Sequence, residues 1–234
     1  MWSAKRKQTI SEQEWVRIRQ TAVANQIVDR GVRNERVLKA MREVPRHHFL
    51  PANVAPALAY ADRPLPIGQN QTISQPYIVA YMAEKLALTG TETVLEVGTG
   101  CGYQAAVLAQ LAKEVISLEV IPELAFMANE NLARENITNV KVKVADGFKG
   151  WMEDAPYDRI IITAGAPRIP QALMLQLNAP GKLIAPIGPR SRQKLILIEK
   201  TPDPPNPPKA AQRELISVMF VPMRGEIERQ TTPG

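Results

Sequence analysis

Val94-Leu95-Glu96-Val97-Gly98-Thr99-Gly100-Cys101-Gly102-Tyr103 is the stretch that decides the fold. An apolar run enters a turn with glycine at every second position, and a helix-competent stretch, Gln104-Ala105-Ala106-Val107-Leu108-Ala109, opens after it. Glycines let the backbone turn sharply and approach a ligand at the carboxyl end of a strand, where open α/β sheets bind their ligands. A dinucleotide fingerprint carries its third glycine one residue later, where Tyr103 stands, and the chain holds no G-x-x-x-x-G-K-[ST] loop for phosphates.

Outward from this turn the chain alternates. β-rich runs lie at 93–97, 115–119, 140–144, 159–163, 182–187, 194–199 and 215–221, with helical stretches at 103–112, 122–134 and 171–177. The alternation predicts a doubly wound, mostly parallel seven-stranded α/β sheet with helices on both faces. Only 200–214 separates the last two runs, and its prolines at 202, 204, 205, 207 and 208 exclude a crossover helix. That pair is therefore expected to close the sheet as an antiparallel hairpin joined by a loop.

Ahead of the core, Ser11 and Glu14 have capping-box spacing, and Trp15, Ile18, Ala22, Ile27 and Val28 follow at near-helical intervals up to a C-cap at Gly31. Asn34 is placed to cap a second helix carrying Val37, Leu38 and Met41, which must stop near Pro45. Residues 45–66 read as Pro-punctuated loop with a short helix, 67–74 as a polar segment, and 76–88 as a helix with Pro76 in its first turn. The expected organisation is one domain, with a helical and loop cap over 1–75 and the core over 76–234.

With 45% hydrophobic residues in 234, the chain can bury one sizeable core. No apolar run approaches the ~18 residues of a membrane span, and none follows Lys5-Arg6-Lys7 as a secretory leader requires. One cysteine allows no internal disulfide, and with two histidines it leaves little material for zinc, so no metal is expected. These readings suggest a cytoplasmic protein. The net charge of +6 admits acidic partners, but the basic residues are interspersed with acids, as on an ordinary solvated surface.

The form E-x-G-x-G-x-G resembles the S-adenosylmethionine loop of Rossmann-like methyltransferases. Further segments carry a closer resemblance: Val44-Pro45-Arg46-His47-His48-Phe49-Leu50-Pro51, Asp62-Arg63-Pro64-Leu65-Pro66-Ile67, Gly68-Gln69-Asn70-Gln71-Thr72-Ile73-Ser74-Gln75-Pro76-Tyr77, Thr163-Ala164-Gly165-Ala166-Pro167 and Phe220-Val221-Pro222. In order and spacing they resemble the protein-L-isoaspartate O-methyltransferase family from about residue 12 onward. The resemblance implies S-adenosylmethionine as cofactor and methylation of the α-carboxylate of L-isoaspartyl residues in damaged proteins and peptides. The ester then collapses to a succinimide, which starts repair. No nucleic-acid, membrane or obligate protein partner is expected, and the chain is expected to be a monomer.

Site residues follow from the motifs. Ser74 matches the family's active-site serine, with Thr72 beside it; its competing reading is an N-cap for the helix that begins near Pro76. Gln71, Thr72, Ile73, Ser74 and Val79 match positions near the cofactor, as do Gly98, Thr99, Gly100 and Gly102 of the turn. Glu96 is a candidate partner for the cofactor's ammonium group, directly or through water. Glu119, at the end of the second core strand, can accept from both ribose hydroxyls, with Val120 beside it; a solvated strand-end acid is the plainer alternative. Asp146, followed by Gly147, can accept from the adenine amino group or merely make an Asp-Gly turn. Val221 and Pro222 match a segment beside the substrate.

Departures from the family are Asn70 for a usual glycine, Cys101 for serine and Ala145 for glycine. Asn tolerates left-handed backbone better than most residues. His47 and His48 are expected in backbone contacts or at the surface, Cys101 as a small filler, and Trp2, Trp15 and Trp151 in packing. Two rivals remain: a nucleic-acid or small-molecule methyltransferase, and a non-catalytic cofactor-binding module. The first lacks its signatures, because Asp203-Pro204-Pro205-Asn206 and Asn206-Pro207-Pro208-Lys209 end in no aromatic and no Pro-Cys nucleophile is present. The intact Thr72-Ile73-Ser74 segment argues against the second.

Overall fold

The computed structural model describes residues 10–52, 54–201 and 210–227. The Pro-rich spacer from 202 on, Trp2 and the 5–7 basic cluster lie outside the described residues.

A seven-stranded sheet forms the centre. Its strands are β3 (Thr93–Val97), β4 (Glu114–Glu119), β5 (Val140–Val144), β6 (Tyr157–Ile162), β7 (Leu177–Ile187), β8 (Gln193–Lys200) and β9 (Ala210–Val218), in the order β5-β4-β3-β6-β7-β8-β9. The first five run parallel, and β8 is antiparallel to both β7 and β9. The expected closing hairpin is thus present, extended by one more antiparallel pair. The order reverses at β3, which has β4 on one side and β6 on the other, so the crevice above its carboxyl end is the ligand position for such a sheet.

Strand alternation splits the core between two faces. Val94, Val115, Ile161 and Ile184 pack under α3 (Pro76–Leu86), α4 (Tyr103–Ala109) and the N-terminal helices, while Leu95, Ile116, Ile160 and Leu183 pack toward α6 (Gln171–Gln176) on the other face. The fifth helix, α5 (Pro122–Arg134), joins β4 to β5 and buries Leu124 and Leu132 in the first cluster. No helix among the described residues is long and apolar enough to cross a membrane.

The cap begins with α1 (Glu12–Ala22), where Glu14 N donates to Ser11 Oγ at 3.3 Å. The expected single helix to Gly31 instead changes to π-helical winding over Val23–Val28 before Gly31 turns out at φ +94°. Asn34 Oδ1 accepts from Arg36 N and Val37 N and opens α2 (Glu35–Glu43), which ends before Pro45 as the proline requires. Helix α3 is shorter than expected because Ala87 turns left-handed, and α4 ends at Ala109 rather than 112.

One correction concerns 65–73. The polar segment forms a hairpin, β1 (Leu65–Gly68) with β2 (Gln71–Ile73), around Gln69 at φ +51° and Asn70 at φ +57°. Two left-handed residues in a two-residue loop match the twist of paired strands. Asn70 therefore occupies the conformation for which glycine is favoured.

His48 has the expected backbone contact and surface position, its N donating to Pro45 O and its side chain 38% exposed, but both histidine side chains also make specific contacts. His47 stacks on Trp15 at 4.1 Å and its Nδ1 meets Tyr60 Oη at 2.8 Å; His48 Nδ1 meets Glu135 Oε1 at 2.6 Å. Burial and the neighbouring His48 and Arg19 hold His47 down to about 4, so it is neutral. With Glu12, each offers a donor atom within 4.8 Å of the others, a gathering that a count of histidines does not reveal. Trp15 and Trp151 are packing residues as expected.

Candidate active site

The glycine turn is fastened from two sides. Gly98 N and Thr99 N both donate to Leu118 O, at 2.8 and 3.2 Å, so the turn leans on the end of β4. From just past the end of β6, Thr163 Oγ1 donates to Gly98 O at 2.6 Å. Gly98 has φ +103°, and a Cβ there would stand 2.5 Å from Thr163 Oγ1. Gly102, at φ +89°, lies against Ala128 of α5 and lets the chain enter α4.

Glu119 closes the loop electrostatically. Its Oε2 accepts from Gly100 N at 2.8 Å and its Oε1 from Ile121 N at 3.0 Å, which leaves further lone pairs on both oxygens. Glu96 lies one layer beneath. It is fully buried; Ser117 Oγ donates to its Oε2 at 2.5 Å, Thr99 Oγ1 meets that same hydroxyl at 2.6 Å, and Oε1 has no partner. Burial, with Glu119 adding to it, pushes the Glu96 carboxyl up to about 8. Cys101 is the expected small filler, buried, with its thiol pushed up to about 11 by burial.

Two adjoining cavities open over the turn. The larger, of about 550 Å³, gathers Gln71, Thr72, Gly98, Gly100, Glu119, Val120, Gly147, Val221 and Pro222. The smaller, of about 330 Å³, gathers Thr72, Ile73, Ser74, Val79, Gly98, Thr99 and Gly100. A third, open groove of about 1470 Å³ shares Thr72 and Ser74 with them and adds Arg30, Gln75, Tyr77, Arg192 and Phe220. Thr72 lines all three.

Glu96, Gly102 and Asp146 stand behind these surfaces rather than on them. Asp146 Oδ1 accepts from Phe148 N at 2.9 Å and Oδ2 from Glu226 N at 2.8 Å, so this acid ties its own turn to the segment after β9. Gly147 does reach the cavity, and a Cβ on it would meet Val97 Cγ1 at 2.2 Å. Val221 O accepts from Gly165 N and Met223 N donates to Gly165 O, both at 2.8 Å, which sets Val221 and Pro222 against the strand end of β6.

The N-cap of α3 is Gln75, and no side chain caps it, so the competing capping role for Ser74 is not realised. Gln75 Nε2 instead donates to Asp62 Oδ2 at 2.7 Å, and Asp62 also takes Arg30 Nη1 at 2.7 Å. The Asp62 lead-in thus holds the serine segment from behind. Residues not foreseen as lining include Leu118, Ile121, Ala145, Thr163, Ala164, Met223 and Arg224 in the larger cavity and Gln104 in the smaller. Thr163 and Ala164 directly follow β6, and the strand-end rule that selected Glu119 selects them too.

The cavities fit a nucleoside joined to an amino acid. Strand-end Glu119 and the apolar walls of Val120, Ile121 and Ala145 suit a ribose and a base, and Glu96, with one unpaired oxygen, stands behind that lining. Arg224 is the single basic residue among the described lining of either cavity, which is no phosphate cradle.

The family described as Protein-L-isoaspartate(D-aspartate) O-methyltransferase (PCMT) matches residues 18–228. A protein-L-isoaspartate O-methyltransferase of Methanoculleus marisnigri is 50% identical over 210 residues, spanning 90% of this chain and 93% of the relative. A solved protein-L-isoaspartate O-methyltransferase, 28% identical, superposes with a TM-score of 0.79 over 91% of this chain and 67% of its own. A Plasmodium falciparum chain described as a beta-aspartate methyltransferase (PCMT), in complex with S-adenosyl-L-homocysteine, shares the fold at 24% identity and a TM-score of 0.73, covering 88% of this chain and 98% of its own. With the family match running over most of the chain and a relative half identical along nine-tenths of it, the chain belongs to the protein-L-isoaspartate(D-aspartate) O-methyltransferase family.

Proposed function

We propose that this protein transfers the methyl group of S-adenosylmethionine to the α-carboxylate of L-isoaspartyl residues in damaged proteins and peptides, starting their repair through a succinimide. Family membership supports the reaction class. The observation that carries the reading is that Thr72 and Ser74 line both the smaller cavity over the glycine turn and the large groove, with Thr72 also in the larger cavity. That arrangement separates a small bound cofactor from a peptide-sized partner and leaves one segment touching both.

S-adenosylmethionine, when bound, supplies a methyl already activated on a sulfonium. A carboxylate with a reference pKa of ~4 is ionised at neutral pH and needs no general base. The chain's task is positioning and exclusion of water. In this reading Glu119 takes the ribose hydroxyls, Val120 and Gly147 border the base, and Asp146 holds that turn. Glu96 offers its free oxygen to the ammonium, directly or through water, Ser74 Oγ orients the substrate carboxylate, and Val221 and Pro222, which line the larger cavity, lie beside the substrate. The protein is taken to act as a cytoplasmic monomer, without nucleic acid, membrane or metal, its 1–75 cap covering the 76–234 core.

The test offers methyl-labelled donor to an isoaspartyl peptide, its aspartyl isomer and nucleic acid. Base-labile label on the first alone is expected; label on nucleic acid, or on both peptides equally, overturns the reading. With the isoaspartyl peptide, Ser74→Ala is expected to lower kcat/KM about tenfold, the worth of one hydrogen bond to a charged group, while donor affinity changes little. Unchanged turnover removes Ser74 from this role.

The buried Glu96 carboxyl gives a pH signature. At pH 7 it is protonated in the free protein, because burial places its titration at about 8. A bound ammonium favours the carboxylate, so donor binding should release a proton and tighten as pH rises, levelling off above about 8. Calorimetry at pH 7.2 in buffers of different ionisation enthalpy counts that proton. Glu96→Gln should abolish the release.

The same raised titration acts on folding with a definite sign. The protonated carboxyl contributes stability that is complete below the unfolded value of 4.5 and is lost as pH rises through about 8.

A further inference from the structure

Gln104 belongs to the first turn of α4, two residues beyond the last glycine of the turn. It is more than nine-tenths buried, at 7% exposure, and lines the smaller cavity together with Thr72, Ser74 and Gly98. Its Nε2 meets no acceptor in the protein. Buried amide donors without partners are uncommon and costly, so a position that keeps one beside a cavity calls for an acceptor from outside the chain.

The charge beneath this end of the cavity points the same way. Arg46 is fully buried; its Nε donates to Ala59 O at 3.0 Å, but Nη1 and Nη2 have no partner. Its guanidinium carbon stands 5.2 Å from the ring centroid of Tyr103, which precedes Gln104 and lines the same cavity. Asp62, the acid that acts on Arg46, is already bound to Arg30 and Gln75. Glu96, with its free oxygen, lies two residues before Gly98. Beside the smaller cavity there is therefore a carboxyl with an unpaired oxygen, able to ionise against a cation, near its Gly98 end and a positive group near its Cys101–Tyr103 end. A zwitterion matches that polarity.

We propose that Gln104, backed by the buried charge of Arg46, forms the subsite for the α-carboxylate of the cofactor's amino-acid end. The site then admits adenosyl thioethers that carry a whole amino acid and discriminates against those that carry an amine alone. This rests on the reading of the two cavities as the S-adenosylmethionine site.

Calorimetry on the full chain compares three ligands. S-adenosylhomocysteine carries ammonium and carboxylate, S-adenosyl-3-thiopropylamine lacks only the carboxylate, and 5′-methylthioadenosine lacks both. The wild type is expected to prefer the first over the second by about tenfold or more, the worth of a hydrogen bond to a charged group. Gln104→Met, which keeps the side-chain volume, should weaken S-adenosylhomocysteine by about tenfold and leave the amine unchanged, so that the preference disappears. Gln104→Glu should invert the preference, a result that a merely structural role does not produce.

Equal weakening of both ligands by Gln104→Met, or no wild-type preference, overturns the proposal. If the wild type binds none of the three, the cofactor reading itself falls and takes the subsite with it. Binding of 5′-methylthioadenosine with no carboxylate preference refutes the subsite alone.

Discussion

Replacement of Glu119 by alanine is expected to weaken S-adenosylhomocysteine binding by about a hundredfold or more. The carboxylate is nine-tenths buried at the end of β4 and lines the larger cavity. Two hydroxyl donors on a charged acceptor are worth about 1.5–3 kcal/mol each, and ~1.4 kcal/mol is a factor of ten in Kd. The same substitution strips Gly100 N and Ile121 N of their acceptor, so the turn loses its hold on β4 at the same time. Calorimetric Kd values for wild type, Glu119→Ala and Glu119→Asp are the measurement. Asp shortens the reach to the two amides while keeping the charge, and should fall between the others. An alanine variant within threefold of wild type would mean that the ribose is held elsewhere.

The second large effect is expected at Gly98. Alanine there must adopt φ near +103° and bring its Cβ to 2.5 Å from Thr163 Oγ1. The hydroxyl cannot simply swing aside, because it donates to Gly98 O and reaches Val97 O as well. Backbone strain of this kind costs about 1–3 kcal/mol by itself, and relief requires the turn to lift from β6. Cofactor affinity should fall by about a hundredfold or more, since ~2.7 kcal/mol of strain or lost contact suffices. Melting temperature should fall with it. Adding Thr163→Ala removes the collision but not the dihedral, so the double variant should recover only part of the loss in both readouts. Full recovery would show that crowding alone requires glycine.

The legible part of this protein was the part governed by local rules. Val94 to Tyr103 combines an apolar strand, glycines and a helix start within ten positions, and each agrees with the parallel sheet that follows. Boundaries failed where pairing overrides propensity. Strand β7 begins at Leu177, although Asn178, Ala179, Pro180 and Gly181 are poor strand residues, because Leu177 pairs with Tyr157 across the sheet. Strand β9 begins at Ala210, through an exposed stretch to Glu214, because β8 offers it a partner. The β1–β2 hairpin escaped notice because its strands are three and four residues long and its turn contains neither Asn-Gly nor Asp-Gly.

Within the site, backbone motifs were easier to place than side-chain directions. Glu119 faces the larger cavity, while Glu96, equally plausible on paper, points beneath the turn toward Ser117. Which way a strand-end acid turns depends on the neighbour that receives it, and Ser117 is twenty-one residues away in the chain. Gln104 carried no signal of its own; only its burial beside the smaller cavity, with an unpaired nitrogen, makes it conspicuous.

The stitching of 220–226 has a consequence for how the molecule is made. Phe220 is clasped by Gln193, Val221 and Met223 by Gly165, and Glu226 by Asp146, and the larger cavity is lined by 221–224 together with Gln71, some 150 residues earlier in the chain. During synthesis on a ribosome, therefore, the nucleotide pocket stays unfinished until this late stretch has cleared the exit tunnel. A nascent chain stalled at β9 has its glycine turn but one wall missing, so ligand stabilises it less than it stabilises the finished fold.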